Sequence, residues 1–257
     1  MELIFRSRQD ATDGRDGSQP TCRSVTWAAD RTAAVICDMW DVHWCAGASG
    51  RVAEMAPRLN ETIAELRRRG ALIIHAPSGT LDFYADHPGR KLAQAAPPVA
   101  TVVPLERWVH LIPEREGPLP IDDSDGGCDC QPQCPQGHPW RRQIATIEIV
   151  DGDAITDSAE AFHLMRQRGI ENVLIMGVHA NMCVLGRPFG IRQLVRQGMN
   201  VALVRDLTDA MVNSRMPPFV NHFAGVELVI EHIERHWCLT ITSDQIVGGR
   251  PFGFQAG

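Results

Sequence analysis

Lysine is almost absent from this 257-residue chain: Lys91 is the only one, and arginine supplies the remaining positive charge. The formal net charge of −6 argues against nucleic acid or an anionic membrane as the main binding partner. No apolar run is long enough to span a bilayer, and residues 1–19 lack the uninterrupted apolar segment of a signal peptide. We therefore expect a cytoplasmic protein without a membrane or nucleic-acid partner.

The length and composition predict one folded domain. With 44% apolar residues, a chain of 257 residues can bury a single substantial core. The first residues are polar, so we expect an N-terminal tail at residues 1–25 and one domain over residues 26–257.

A repeated helix–glycine–strand pattern indicates the fold class. Three times, basic residues and a glycine, which are typical of a helix end, precede a continuous apolar run. Such runs are typical of strands covered on both faces, so we predict an α/β fold, a three-layer α/β/α arrangement with a mostly parallel sheet. The predicted strands are residues 33–37, 71–74, 173–176 and 201–204, with residues 144–150 as a further strand and residues 226–236 as a helix.

Residues 76–143 interrupt this pattern with eleven prolines. These prolines exclude long regular elements, while Trp108 and Trp140 provide apolar surface with which the segment can dock. We predict a long, loop-rich insertion that lies over the rim of the active site.

Two reactive side chains follow predicted strands. Asp38 ends the apolar run 33–37, and Cys183 lies where a helix should begin after the run 173–176. Because ligands of parallel sheets bind at the carboxyl ends of the strands, Asp38 and Cys183 are candidates for a base and its nucleophile. The alternative for Cys183 is a small buried residue at the end of a core strand.

At these residues the chain resembles the isochorismatase-like cysteine hydrolases, which include the nicotinamidases. Residues 177–184, Gly-Val-His-Ala-Asn-Met-Cys-Val, match the family's Gly-Val-x-x-x-x-Cys-Val stretch, and Asp38 matches its first-strand aspartate. The resemblance covers roughly residues 31–75 and 145–210. It implies catalysis by Cys183 and Asp38, a cis peptide between Val178 and His179, and an oxyanion-binding loop that includes Val178, His179 and Met182.

The family's third catalytic residue, a lysine on the strand before the cysteine motif, is missing. Some cation is still needed, because a carboxylate alone would raise the pKa of a neighbouring thiol. The candidates are Arg141 and Arg142, which we narrowly favour, and Lys91. Arg187 is instead interpreted as a clamp for a substrate carboxylate or as an interface residue.

Other residues near the two motifs are candidates for substrate binding. His179 could hydrogen-bond to substrate or lie in the core, and Asn181 could contact substrate or cap a helix. Trp40 and Trp44 could form a pocket wall or pack in the core.

A cluster of cysteines lies in the insertion. Cys128, Cys130, Cys134 and His138 could hold zinc, but their spacing favours a local disulfide or free thiols. We expect no metal and no cofactor.

The resemblance predicts a cysteine hydrolase that cleaves a non-peptide C–N bond of a small amide through a thioester. The alternatives are an isochorismatase-type vinyl-ether hydrolase, in which Asp38 is the acid, and a catalytically inactive member that acts as a binding protein. We also expect a homo-oligomer, as is common in this superfamily.

Overall fold

A computed structural model describes residues 1–10 and 18–255 of the chain. Its strands form one eight-stranded sheet in the order β2-β1-β8-β7-β6-β3-β4-β5. The strands are β1 Glu2–Asp10, β2 Ser18–Thr26, β3 Thr32–Cys37, β4 Leu72–Ala76, β5 Ala154–Ile155, β6 Asn172–Val178, β7 Asn200–Asp209 and β8 Leu239–Ile241. The helices are α1 Ala46–Arg68, α2 Pro88–Gln94, α3 Pro113–Glu116, α4 Glu160–Gln167, α5 Cys183–Gly186, α6 Ile191–Arg196, α7 His222–His236 and α8 Asp244–Val247, with 3-10 turns at Ala29–Arg31 and Leu81–Tyr84.

The strands from β3 to β8 are parallel and form the centre of the fold. Every residue of β3 and β6 is buried, as expected for strands covered on both faces. Alternate residues of β3 face opposite layers: Val35 packs with α4, α6 and α7, whereas Ile36 packs with α1. This arrangement confirms the predicted three-layer α/β/α fold with a mostly parallel sheet.

The described part of the predicted N-terminal tail is folded, so the expectation of a tail was wrong. β1 pairs antiparallel with β2 and, on its other side, with β8. Leu3 and Phe5 are fully buried against the α1 layer, whereas Ile4 between them is exposed. Only this short alternation marks β1 as a strand, and the polar residues that follow it obscure the signal.

The prediction of a strand at residues 144–150 was also wrong. The Ile147 N–H donates to the Ile144 carbonyl in a turn, and the N–H groups of Glu148 and Val150 donate to side chains. These backbone donors therefore bond to a turn and to side chains and do not form the ladder of a strand. The edge strand before β6 is β5, which has two residues.

The proline-rich segment 76–143 contains two short helices, α2 and α3, and packs on the layer of α4, α6 and α7 through Ile121 and Ala93. None of the described helices combines the length and the apolarity needed to cross a membrane.

Candidate active site

Asp38 lies directly after β3, at the carboxyl edge of the sheet. Its side chain is fully buried, and its Oδ1 accepts the N–H of Ser78, which follows the neighbouring strand β4, at 2.7 Å. Burial raises the pKa of the Asp38 carboxyl, and the positive charge of Arg187 opposes this rise. The site therefore holds a carboxyl group whose proton affinity is higher than in water.

A glycine allows β6 to approach β3 at this edge. Gly177 has a φ of 104°, and a Cβ on it would lie 2.1 Å from the carbonyl oxygen of Cys37. Val178 and His179, which follow it, are joined by the cis peptide that the resemblance implied. Gly177 is therefore required by both the backbone conformation and the space available.

Cys183 is the first residue of α5 and is half-buried beside Asp38 and Arg187. Burial and the charge of Asp38 raise the pKa of its thiol well above the ordinary value, although Arg187 opposes the shift. The thiol is therefore protonated near neutral pH, and a nucleophilic thiolate requires a base to remove its proton. Asp38 is the carboxylate that can do so.

Arg187 supplies the positive charge at this site. Its Nε lies 3.5 Å from Asp38 Oδ2, and its guanidinium lies 5.5 Å from the centre of the Trp108 ring. The backbone N–H of Arg187 donates to the Cys183 carbonyl at 3.0 Å. The four-residue spacing of a helical turn therefore places Arg187 beside the cysteine. Burial lowers the pKa of Arg187, but Asp38 and Cys183 outweigh this effect and raise it overall.

The cations favoured from sequence are engaged elsewhere. Lys91 is exposed near Asp86, at 3.9 Å. Arg141 is exposed and lies 3.5 Å from Asp41, and the Arg142 guanidinium lies over the Phe83 ring. The structure therefore corrects the assignment of Arg141, Arg142 or Lys91 to this position. The signal that identifies Arg187 is its spacing from Cys183 on one helical turn.

The loop 178–183 has few free backbone donors. The N–H of Ala180 donates to the Asp209 carbonyl, and that of Met182 donates to the His179 carbonyl. The N–H of Met182 is therefore not available for an oxyanion. Within the described residues, the backbone N–H groups of His179, Asn181 and Cys183 have no acceptor, so they are the candidates for binding an oxyanion.

His179 is buried and neutral. It is 2% exposed, and burial, followed by the charge of His43, lowers its pKa to about 3. The His43 ring packs against it edge to face at 4.9 Å between ring centroids. Its Nε2 has no hydrogen-bond partner among the described residues, so it can still bind a polar group of a ligand.

The other substrate-binding candidates have structural contacts. Asn181 donates to Asp123 Oδ2 at 2.7 Å and accepts the N–H of Met211 at 2.9 Å. Its amide therefore ties two loops together, and it is neither a free substrate contact nor the helix cap. Trp40 is buried, stacks on Trp140 at 4.3 Å and donates to the Ser78 carbonyl, so it packs in the core.

Unpaired polar atoms concentrate at this site. Within the described residues, six buried side-chain nitrogen and oxygen atoms lack a hydrogen-bond partner, and four of them belong to Asp38, Ser78, His179 and Arg187. Buried polar atoms without partners are rare, and a substrate can satisfy them.

The insertion cysteines are free thiols. Cys128 and Cys130 lie together with Cys45, which precedes α1, and this is the one group of potential metal ligands found among the described residues. His138 instead packs against Trp140 at 4.9 Å between ring centroids. Trp44 and Cys134 pack against the same cysteines.

Solved structures resemble this architecture. A cysteine hydrolase from Pseudomonas syringae pv. phaseolicola 1448A is 14% identical, with a TM-score of 0.52 over 87% of this chain and 94% of that one. The chain has the isochorismatase-like fold. A second structure with this fold, an isochorismatase from Pseudomonas putida KT2440, is 12% identical, with a TM-score of 0.52 over 86% and 93% of the two chains. No family model matches the sequence, and no curated protein matches it.

Proposed function

We propose that this protein is a cysteine hydrolase that cleaves the C–N bond of a small, non-peptide amide. The observation that carries the proposal is the arrangement of Cys183 beside a buried carboxyl, Asp38, and a fixed cation, Arg187. A nucleophile, a base and a positive charge are the three groups that acyl transfer through a thioester needs.

In the first half of the reaction, Asp38 accepts the thiol proton while Cys183 Sγ attacks the amide carbonyl carbon. N–H groups from the candidates His179, Asn181 and Cys183 bind the oxyanion of the tetrahedral intermediate. Such donors contribute roughly 3 kcal/mol each in other acyl-transfer enzymes. Asp38 then gives its proton to the departing nitrogen, the C–N bond breaks, and a thioester on Cys183 remains.

In the second half, Asp38 removes a proton from water, which attacks the thioester carbonyl. The carboxylic acid leaves, and the proton returns to the Cys183 sulfur. Arg187 stays charged throughout, because a guanidinium does not exchange protons near neutral pH. It favours the ionised form of Asp38 and stabilises the thiolate, and Asp38 performs every proton transfer alone.

The size of the neighbouring cleft supports a small substrate. A cleft of about 400 Å³ is lined by Arg187 and Pro188 from the turn after Cys183 and by Asp157 and Ser158 from the loop before α4. This volume lies within the range of small-molecule sites, roughly 300–1,000 Å³.

Acyl trapping tests the proposal. We expect an activated ester such as p-nitrophenyl acetate to acylate the peptide that contains Cys183, as detected by mass spectrometry, and a panel of small amides to release ammonia or amine. Cys183→Ala should abolish both signals. Cys22→Ala is the matched control, because Cys22 lies on the edge strand β2 at the far end of the sheet.

Two outcomes would contradict the proposal. Turnover retained by Cys183→Ala would favour vinyl-ether hydrolysis with Asp38 as the acid. A folded wild-type protein that is never acylated and turns over no amide would favour a binding protein.

A further inference from the structure

A second group of thiols lies outside the Asp38–Cys183 site. Cys45 and Cys128 are buried, Cys130 is half-buried, and their three sulfur atoms all lie within 4.8 Å of one another. Cys45 comes from the start of α1, whereas the other two come from the proline-rich insertion. The fold thus brings together cysteines that are more than eighty positions apart.

The spacing of the sulfur atoms fits a tetrahedral metal ion. With zinc–sulfur bonds of about 2.3 Å, two sulfurs of a tetrahedron lie about 3.8 Å apart. Cys45 Sγ and Cys130 Sγ are separated by 3.8 Å. A disulfide would bring them to about 2 Å, so the two sulfurs are not bonded, and their separation suits two ligands of one ion.

A fourth sulfur lies close by. Cys134 Sγ accepts the N–H of Ala46 at 3.5 Å, and Ala46 adjoins Cys45 in sequence. Cys134 therefore lies at the same helix start and packs against the other three cysteines, which makes it the candidate for the fourth ligand.

A helix N-terminus and a guanidinium lie beside these sulfur atoms. Cys45 is the N-cap residue of the 23-residue helix α1, whose first turn contains no acidic residue. Arg51 Nη1 and Cys130 Sγ both lie within 3.5 Å of the position that a Cβ on Gly47 would occupy. Helix N–H groups and a guanidinium offset part of the cost of burying a thiolate, which is the form that binds metal.

The backbone of the insertion is held in place around these cysteines. Arg215 Nη2 donates to the carbonyls of Cys128 and Cys130 at 3.4 and 3.3 Å, and Gln133 also donates to the Cys128 carbonyl. A binding site held in this way needs little reorganisation when an ion enters it.

We propose that Cys45, Cys128, Cys130 and Cys134 bind one structural zinc ion. The ion ties the proline-rich insertion to the start of α1. The four sulfurs close the coordination shell, so the site has no open position for catalysis. The cluster packs against Met182, the residue before Cys183, so the ion also supports the loop that carries the nucleophile.

Metal analysis of the full-length protein tests this proposal. We expect about one zinc ion per chain after purification without chelators, and a loss of at least about tenfold in Cys45→Ser, Cys128→Ser and Cys134→Ser. Cys22→Ser and His138→Ala are the matched controls and should retain the ion, because Cys22 is exposed on β2 and His138 packs against Trp140.

Cobalt substitution covers the case in which a variant fails to fold. Metal-free wild-type protein titrated with Co²⁺ should develop thiolate-to-cobalt charge-transfer bands and intense tetrahedral d–d bands that saturate at one equivalent. Zinc should then displace the cobalt. Folded wild-type protein that holds no zinc and gives no such bands would overturn the proposal, and so would a disulfide between any two of the four cysteines.

Discussion

Replacement of Arg187 by methionine is the sharpest test of the proposed mechanism. Methionine keeps much of the length and apolar volume of the side chain but removes the positive charge beside Asp38. Since that charge opposes the rise in the pKa values of both Asp38 and Cys183, its loss should raise both further. Less Asp38 would then be ionised at a given pH, and the thiolate would be harder to form.

The size of the effect follows from the distance and the exposure. At 3.5 Å, two unit charges interact by about 1 kcal/mol in water and about 5 kcal/mol at an effective dielectric constant of 20. The Arg187 side chain is 27% exposed, so we expect the middle of this range, about 1.5–3 kcal/mol. This corresponds to a decrease in kcat/KM of roughly 10- to 100-fold near neutral pH.

The assay is the pH profile of kcat/KM or, without a substrate in hand, the rate of Cys183 acylation. Asp38 acts as a base, so activity requires its ionised form and is lost as the pH falls. In Arg187→Met, the acid limb of this pH profile, where activity falls as Asp38 is protonated, should therefore move to higher pH. Arg187→Lys restores a cation and should bring the acid limb back towards that of the wild type, while Arg141→Met and Arg142→Met serve as controls and should leave it unchanged.

An acid limb in Arg187→Met identical to that of the wild type would refute the assignment of Arg187. A shift in Arg141→Met or Arg142→Met would instead restore the interpretation drawn from the sequence.

The remaining predictions concern stability and assembly. Gly177→Ala should prevent folding or yield insoluble protein, since the new Cβ would lie 2.1 Å from the Cys37 carbonyl oxygen; a soluble variant with a wild-type melting temperature would contradict this. Glu116→Gln should lower the free energy of unfolding by about 3–5 kcal/mol in denaturant titrations, because it leaves the buried Arg192 guanidinium without its carboxylate. The exposed Glu114→Gln on the same helix should have little effect, and an equal loss in both variants would count against the argument. Burial raises the pKa of Glu116, but hydrogen bonds, among them that from Arg192, outweigh it and lower the pKa from 4.5 to about 2; its stabilisation should therefore be present above pH 4.5 and decline as the pH falls towards 2. We also propose self-association, so light scattering should give a mass above 28.4 kDa, and a monomer mass would refute it.

Local sequence determined the centre of the fold. The runs that became β3, β4, β6 and β7 are continuously apolar, as expected for strands covered on both faces, and the helix-end signals before three of them indicated parallel strands. The same logic places Asp38 and the Cys183 loop at one edge of the sheet, because parallel neighbours end on the same side. The cis peptide was predicted from the family resemblance carried by the short motif at residues 177–184.

Tertiary structure decided the features whose partners are distant in sequence. Cys45 carries no signal of a metal site by itself, because the cysteines it meets lie in the insertion. β1 pairs with β2 along its length and joins the rest of the sheet through β8, at the other end of the chain. Residues 144–150 alternate like a strand, but several of their N–H groups donate to a turn and to side chains. The choice of Arg187 over the other cations depended on where helix α5 begins, since a helix starting at Cys183 places residue 187 one turn away, directly beside the thiol. Periodicity specifies which residues are buried. Which side chains from separate segments come into contact depends instead on the packing of the whole chain.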